Sequence, residues 1–286
     1  MKAGNSEKRK ITLICLTAAA LCAVVFSIIN GVMFASNYDA EKQLAEKAFT
    51  RASYIVAFAS VIVCFVSARV LPIKKKADAL KSSSRGIPLV SALCGFFLVA
   101  TVIMQIIMML NHSLQSDAGK YQGKLHYLAL VLAIPAAFYF LYSIFAEKES
   151  RKVKAVLGII LMLWCMACII VTYLYIEIPI NSPERVLSII SFIALMLFFT
   201  EEIRYFLGKP LPRLYCALAL CAFVLSVGNS LPLIILSVAK INSFKMSIST
   251  IYNFFELSAG TYALLRVISL VKRKINAPQV SETEEN

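Results

Sequence analysis

Eight long apolar stretches run through this chain, and each is long enough to cross the hydrocarbon core of a lipid bilayer as a helix. A core of about 30 Å needs roughly 20 apolar residues at about 1.5 Å per residue. Apolar residues make up 59% of the 286 residues, which is above the share of about 45–50% in soluble domains. The sequence therefore predicts an all-α polytopic integral membrane protein, a bundle of eight transmembrane helices at about 11–34, 52–71, 88–110, 125–146, 153–175, 183–207, 213–239 and 247–270.

The connections between these stretches are short and charged, so the sequence predicts a single transmembrane domain over residues 1–286. None of them is long enough for a folded water-soluble domain, and residues 271–286 form a short cytoplasmic tail. The first stretch exceeds the roughly 7–15 apolar residues of a signal peptide, which favours a retained helix. Glu and Lys at helical spacing within 39–51 predict a helical stalk that extends the second span.

The sixth predicted helix has sequence signals at both of its ends. Ser182 is a favourable N-cap residue, and Pro183 suits the first helical turn. Gly208 followed by Pro210 is typical of a helix stop. These signals predict a helix that begins at Pro183 and ends just before Gly208.

The Lys and Arg residues are distributed unevenly between alternate connections. With the N terminus in the cytoplasm, 21 of the 29 cations lie in or beside the inner segments and 8 in or beside the outer ones. This positive-inside bias predicts that both termini are cytoplasmic. The net charge of +13 then reflects topology and not a nucleic-acid surface. We expect a multi-pass protein of the cytoplasmic membrane whose inner basic runs, such as Lys74, Lys75 and Lys76, contact anionic lipid headgroups.

All eight cysteines fall inside predicted spans, so the sequence contains no disulfide framework for an outer loop. Trp164, Cys165 and Cys168 look like the thioredoxin redox motif. That motif needs a thiolate at a helix N terminus beside a strand, whereas these residues lie in the middle of an apolar span. We therefore interpret the cysteines as small, polarizable helix-packing residues.

A second short motif resembles the signature of an enzyme family but lacks the residues that its chemistry needs. Glu201 and Glu202 resemble the start of the EExxxR motif of CAAX-processing intramembrane proteases, but Phe206 occupies the Arg position. The only histidines, His112 and His126, lie at the predicted outer edge, whereas metal-assisted hydrolysis needs His or carboxylate ligands at the site. The sequence thus predicts no catalytic residues, no metal site, no cofactor and no enzymatic activity.

Glu256 is the one ionisable residue predicted to lie well inside a span. A charged side chain at this depth costs about 2.5–3.5 kcal/mol on insertion scales and normally faces a bundle interior or a water-filled cavity. Asn253, Glu256 and Gly260 follow helical spacing, which predicts one polar or small stripe directed toward protein or water. Glu256 is expected to bind a cation, to carry a proton, or to stay protonated as a structural residue.

Further polar residues are predicted in the outer half of the membrane. The seventh span contains Gly228 and Pro232, which permit a kink like those of broken transporter helices. One hypothesis is an outward-open polar vestibule around Glu256; the alternative is that its polar residues make interhelical hydrogen bonds. The residues predicted to wall this vestibule with Glu256 are Asn229, Ser230, Asn253, Asn30 and Gln105.

Glu201, Glu202 and Arg204 are predicted near the cytoplasmic interface, because the apolar part of the sixth span, 186–200, is too short to cross the membrane alone. They form either an inner gate, a docking point for a cytoplasmic partner, or a solvated helix end with a local ion pair. The favoured function is a small-solute or ion permease that uses Glu256. The alternative is a non-transporting sensor or an assembly subunit of a membrane complex, with a homo-oligomer as a further option.

Overall fold

The structure, a computed structural model, describes residues 2–36, 38–39, 44–72, 86–110, 120–145, 150–174, 181–240 and 248–276. Within them the chain forms eight α-helices and one two-residue β-ladder. The helices are α1 (Lys2–Ser36), α2 (Lys47–Val70), α3 (Gly86–Leu110), α4 (Lys120–Phe145), α5 (Arg151–Leu174), α6 (Pro183–Phe206), α7 (Pro212–Ala239) and α8 (Ile248–Asn276). The strands are β1 (Tyr38–Asp39) and β2 (Leu44–Ala45), which pair antiparallel between α1 and α2.

Seven of these helices are long and apolar enough to cross a membrane, counting the described residues alone. In α4 the corresponding apolar part is shorter and covers His126–Tyr142. Large apolar side chains such as Leu13 and Phe58 are exposed, at 64% and 70% of their surface, on the outside of the bundle. Such a surface is stable in hydrocarbon but not in water. The chain is therefore a helical, multi-pass membrane protein, as its apolar stretches predict.

Six of the helices form a closed ring. Each helix from α3 to α8 packs against the next one, and α8 packs back against α3. The helices α1 and α2 lie outside this ring, where both contact α7. Helix α7 is accordingly the most buried of the seven apolar helices. The neighbours of each helix in the ring set which side chains can meet in its interior.

Side-chain contacts define the direction of each helix. Ser191 contacts Glu256 near the middle of α6, and Glu202 contacts Arg266 near its end, so α6 and α8 run parallel. Helices α1 and α7 also run parallel, because Asn30 meets Gly228 and the following Gly31 faces Pro232. Consecutive helices run antiparallel, as expected for a chain that crosses a bilayer back and forth. The start of α1 and the end of α8 consequently lie at the same end of the bundle.

Aromatic side chains fill the interior of the ring. Phe140 on α4 lies edge-to-face with Phe199 on α6 and with Phe255 and Tyr262 on α8, at ring-centroid distances of 5.9, 6.2 and 5.6 Å. Such pairs contribute about 0.5–1.5 kcal/mol beyond their area burial. We call Phe140, Phe199 and Phe255 the aromatic layer. Phe199 of this layer lies between Ser191 and Glu202 on α6, which belong to two polar clusters at different depths.

Two local predictions meet different outcomes. The ends of α6 are confirmed, because Ser182 is the N-cap residue and the helix stops at Phe206, followed by Gly208 with a φ of 78°. The helical stalk predicted over 39–51 is confirmed for residues 47–51, where α2 extends the predicted span, but residues 44–45 pair with 38–39 instead. A short helix in water is marginal because its first turn is costly to nucleate.

Candidate functional site

Glu256 lies inside the bundle and is only 1% exposed. Its Oε2 atom accepts hydrogen bonds from Ser191 Oγ on α6 at 2.7 Å and from Asn229 Nδ2 on α7 at 3.4 Å. Ser191 Oγ also lies 3.1 Å from Ser226 Oγ on α7. We call Ser191, Ser226, Asn229 and Glu256 the Glu256 cluster. It joins three helices around one carboxyl group.

No basic side chain neutralises this carboxyl in the part of the chain that the structure describes. Arg204 and Arg266 form ion pairs with Glu201 and Glu202, respectively, and not with Glu256. Glu256 is held instead by uncharged donors, a hydroxyl and an amide. A fixed negative charge with only such partners is unfavourable in a dry, low-dielectric interior. The arrangement therefore suits a carboxyl group that binds and releases a positive charge.

Close helix packing brings the Glu256 cluster together. Gly260 lies one turn after Glu256 on α8, and a Cβ atom there would be 3.1 Å from Ser226 Cβ and 3.4 Å from the Ala222 carbonyl oxygen. The missing side chain of Gly260 lets the α7 backbone approach, so that Asn229 and Ser226 reach α8. Small residues have this effect in membrane helix pairs. The stripe of Asn253, Glu256 and Gly260 read from the sequence thus faces protein.

Asn30 makes its hydrogen bonds outside this cluster, so its predicted place beside Glu256 stays a prediction. Its Nδ2 atom donates to the Gly228 carbonyl at 3.1 Å, and its Oδ1 atom accepts from Ser53 on α2. Proline has no backbone N–H, so Pro232 leaves the carbonyl of Gly228, four residues earlier, without its helical donor. Asn30 supplies that donor from α1. The residue is part of the joint between α1, α2 and α7.

The other predicted residues are placed differently from one another. Gln105 Nε2 donates to Tyr252 OH, one turn before Glu256, while Ser230 Oγ donates to the Ser226 carbonyl of its own helix. Asn253 is 6% exposed, and Gln105 is 1% exposed. Since no member of the predicted vestibule is more exposed than this, the site is closed in this structure. The expectation of an outward-open vestibule differs from the structure in this respect.

A second buried polar cluster lies closer to the C-terminal ends of α6 and α8 than the Glu256 cluster does. Glu202 Oε1 forms an ion pair with Arg266 Nε at 2.9 Å and accepts a hydrogen bond from Tyr262 OH at 3.0 Å, while Arg266 Nε donates to Tyr262 OH at 2.9 Å. The Glu202 and Arg266 side chains are 0% and 2% exposed. We call Glu202, Tyr262 and Arg266 the Glu202 cluster. It lies about 15 Å from Glu256, since ten residues separate Glu256 from Arg266 on α8.

The sequence reading missed Arg266 and Tyr262. Arg266 lies inside the predicted span 247–270, so the criterion that selected Glu256 could have selected it as well. It was instead counted among the cations of the cytoplasmic side. Lys154 is a similar case, because it is buried on α5 with its Nζ atom 5.2 Å from the centre of the Tyr139 ring. Both residues belong to the interior of the bundle.

The predicted inner group of Glu201, Glu202 and Arg204 is divided by the structure. Arg204 pairs with Glu201 of the same helix at 2.8 Å and is 41% exposed, which fits the alternative of a local ion pair at a helix end. Glu202 points the other way, into the bundle. A solvated position for Glu202 is therefore wrong. Its location between α6 and α8 leaves it unsuited to direct contact with a cytoplasmic partner.

Four aromatic side chains stand beside Glu256. Trp164 on α5 lies 4.9 Å from Phe255, 6.0 Å from Phe192 on α6 and 6.3 Å from Tyr252, measured between ring centroids. Phe255 directly precedes Glu256, and Phe192 directly follows Ser191. We call Trp164, Phe192, Tyr252 and Phe255 the aromatic box. It adds a π-rich wall to the carboxyl site.

The described part of the chain contains thiols and carboxylates, which are among the ligands that metal ions need. Among the residues that the structure describes, no three His, Cys, Asp or Glu side chains group closely enough to hold a metal ion. The eight cysteines are free thiols inside the helices, and Cys165 and Cys168 are buried in the middle of α5. Polar chemistry is thus concentrated in the Glu256 and Glu202 clusters. Comparisons with protein-family models, with curated proteins and with solved structures find no match to this chain.

Proposed function

We propose that the protein is a permease that moves a cation or a proton through the six-helix ring by way of Glu256. One observation carries this proposal: a carboxyl group is buried between three transmembrane helices with only uncharged partners in the described part of the chain. Ionisable residues at membrane depth normally belong to ion pathways or proton relays. A purely structural contact between these helices needs no carboxyl, because an amide or hydroxyl forms comparable hydrogen bonds.

The charge on Glu256 links ion binding to the conformation of the helices. In the closed site the carboxyl is stable when a proton or a bound cation neutralises it. Loss of that positive charge leaves a carboxylate that Ser191 and Asn229 solvate incompletely, which favours a conformation that admits water. Gly228 and Pro232 lie beside Asn229 on α7 and permit this helix to bend. Alternation between the two states would carry the ion across the aromatic layer.

The proposal includes the orientation and the location of the protein. The bias of Lys and Arg favours a cytoplasmic position for both termini, in the cytoplasmic membrane, with the basic inner connections against anionic lipid headgroups. In that orientation the Glu256 cluster lies toward the outside and the Glu202 cluster toward the cytoplasm. No enzymatic activity is part of this proposal.

Proton flux in reconstituted vesicles tests the proposal. The protein is incorporated into liposomes that contain a pH-sensitive dye, and a potassium diffusion potential is imposed with valinomycin. We expect flux above that of empty liposomes, a rise when sodium is present on one side if sodium is the coupled cation, and loss of both fluxes in Glu256→Gln. Glu46→Gln is the matched control, because Glu46 is an exposed carboxyl at the start of α2 and should leave the flux unchanged.

Two outcomes would contradict a permease. If Glu256→Gln folds and conducts like the parent, Glu256 is structural. If neither proton nor sodium flux exceeds that of empty liposomes, the alternative of a sensor or assembly subunit gains support, because the aromatic layer closes the ring in this structure. Co-purification of a stoichiometric partner from the native membrane would then identify the assembly.

A further inference from the structure

Buried polar atoms without partners surround the Glu256 site. Within the described residues, Asn229 Oδ1, Gln105 Oε1 and Trp164 Nε1 are inaccessible to solvent and accept or donate no hydrogen bond. An unmet buried polar group costs about 1–3 kcal/mol. Two of these three atoms are acceptors, and the Glu256 carboxylate is a third acceptor. A ligand that completes this site is therefore positively charged or rich in hydrogen-bond donors.

The aromatic box narrows the chemistry of that ligand. Its rings come from α5, α6 and α8, the last two of which also contribute Ser191 and Glu256. Tyr252 lies one turn before Glu256 on α8, and Trp164 stacks on Tyr252, which brings α5 to the carboxyl site. Ammonium groups are attracted to the faces of Trp, Tyr and Phe rings. Small inorganic cations prefer a shell of several oxygen ligands instead.

We infer that Glu256 and the aromatic box bind an organic cation, with an ammonium group held between the carboxylate and the rings of Trp164 and Tyr252. This inference rests on the proposed function and names the substrate class of the same site. The ammonium charge neutralises Glu256, and any N–H groups donate to Asn229 Oδ1 and Gln105 Oε1. Tyr252 is the one ring of the aromatic box that is only partly buried.

Tryptophan fluorescence reports on this site directly, because Trp164 is the only tryptophan in the chain. Purified full-length protein in lipid nanodiscs is titrated with tetramethylammonium while the Trp164 emission is recorded. Sodium at equal ionic strength is the inorganic control, and tert-butyl alcohol is an uncharged control of similar size. We expect a saturable change with tetramethylammonium, weaker or no change with sodium, and no saturable change with the alcohol.

Substitutions distinguish the contribution of the Glu256 charge to binding from that of the aromatic rings. Glu256→Gln should weaken tetramethylammonium binding by about tenfold or more, since a charge-assisted contact is lost. Tyr252→Leu should weaken it by about threefold, and Tyr252→Phe should regain most of that loss because the ring face is restored. The exposed carboxyl of Glu46 again gives the matched control, Glu46→Gln, with parental affinity. Size-exclusion profiles check that each variant is folded.

The outcomes distinguish this inference from the proposed function. Proton or sodium flux without a saturable tetramethylammonium response overturns the organic-cation assignment and leaves the permease intact. Equal affinity in the parent and in Glu256→Gln, or equal loss in both Tyr252 variants, also overturns it. A saturable response that depends on Glu256, together with no flux of protons, sodium or tetramethylammonium into the reconstituted liposomes, supports the binding site and contradicts transport.

Discussion

At the scale of single residues, the Glu202–Arg266 pair places two opposite charges inside the bundle. Both side chains are almost completely buried, and Tyr262 hydrogen-bonds to each of them. Removing two charges from water costs several kcal/mol per ion, which the mutual attraction and the hydrogen bonds must offset. Loss of one partner leaves the other charge uncompensated. Replacing one residue of the pair should therefore destabilise the protein, whereas replacing both with apolar residues should be tolerated.

We predict that Arg266→Met lowers the free energy of unfolding by about 3–5 kcal/mol and that Glu202→Leu combined with Arg266→Met regains most of this loss. Unfolding by sodium dodecyl sulfate in mixed micelles, followed by Trp164 emission, measures the effect. Arg204→Met is the control, since the partly exposed Arg204 pair should contribute less than about 1 kcal/mol. A double variant no more stable than Arg266→Met would show that the pair is not coupled in this way.

The sequence identifies a buried ionisable residue only where that residue is far from other charges along the chain. Glu256 is about ten residues from the nearest charge on either side, so an apolar run reveals it. Arg266 and Lys154 lie near other cations at the ends of spans, and a count of charges cannot tell a residue that reaches the headgroups from one that turns inward. Ser191 and Ser226 were missed because a hydroxyl is common in membrane helices and gains meaning only from its neighbours.

At the scale of elements, α7 is the helix that connects the ring to the two helices outside it. It contacts α1 and α2 on one side and α6 and α8 on the other. Gly228 lies at its closest approach to α1, where a Cβ atom would collide with the ring of Phe26. The same residue provides the carbonyl that Asn30 binds. Close packing and a proline-freed carbonyl therefore coincide in one turn of α7.

We predict that Gly228→Ala destabilises the protein by about 1–3 kcal/mol, because Phe26 must leave its place in a well-packed interface. The same detergent unfolding measurement tests it. Gly31→Ala is the matched control on the facing helix, since its Cβ atom would be at an ordinary 3.6 Å from Pro232 Cβ. Phe26→Leu in the Gly228→Ala background should recover part of the stability. Equal effects of the two alanine substitutions would contradict the proposed crowding.

The sequence predicts helices reliably where the lipid bilayer alone determines the secondary structure. Each of the eight predicted spans corresponds to one helix, because an apolar backbone in hydrocarbon has to satisfy its own hydrogen bonds. Outside the membrane this constraint disappears, and the segment 39–46 illustrates the consequence. Its spacing of Glu and Lys favours a helix, yet residues 38–39 and 44–45 form a β-pair that brings α1 and α2 together.

At the scale of the whole molecule, the order of the helices around the ring is beyond single-sequence reasoning. Apolar runs show which segments enter the membrane but not which ones touch. The predicted vestibule joined Asn30 to Glu256 on depth alone, whereas the structure places them on different sides of α7. The alternation of helix directions, by contrast, follows from the short connections between successive helices. It brings residues 46 and 209 to opposite ends of the bundle.

We predict that a cysteine introduced by Glu46→Cys reacts with a membrane-impermeant maleimide in intact cells, whereas one introduced by Lys209→Cys reacts only after permeabilisation. Both native residues are exposed at helix ends, and the positive-inside bias puts the first outside and the second inside. The parent protein is the control for its native cysteines. The reverse pattern would invert the orientation, and labelling of both from one side would contradict the number of crossings.

The polar groups of both clusters come from the last three helices of the chain, α6, α7 and α8. Helix α8 is the least hydrophobic of the seven apolar helices and contributes both Glu256 and Arg266. During synthesis it leaves the ribosome after the other seven helices of the bundle, because it follows them in the chain. Its two ionisable side chains can therefore contact polar groups of the earlier helices directly. Insertion of α8 is thus expected to depend on the earlier helices, whose polar side chains take the place of water around its ionisable residues.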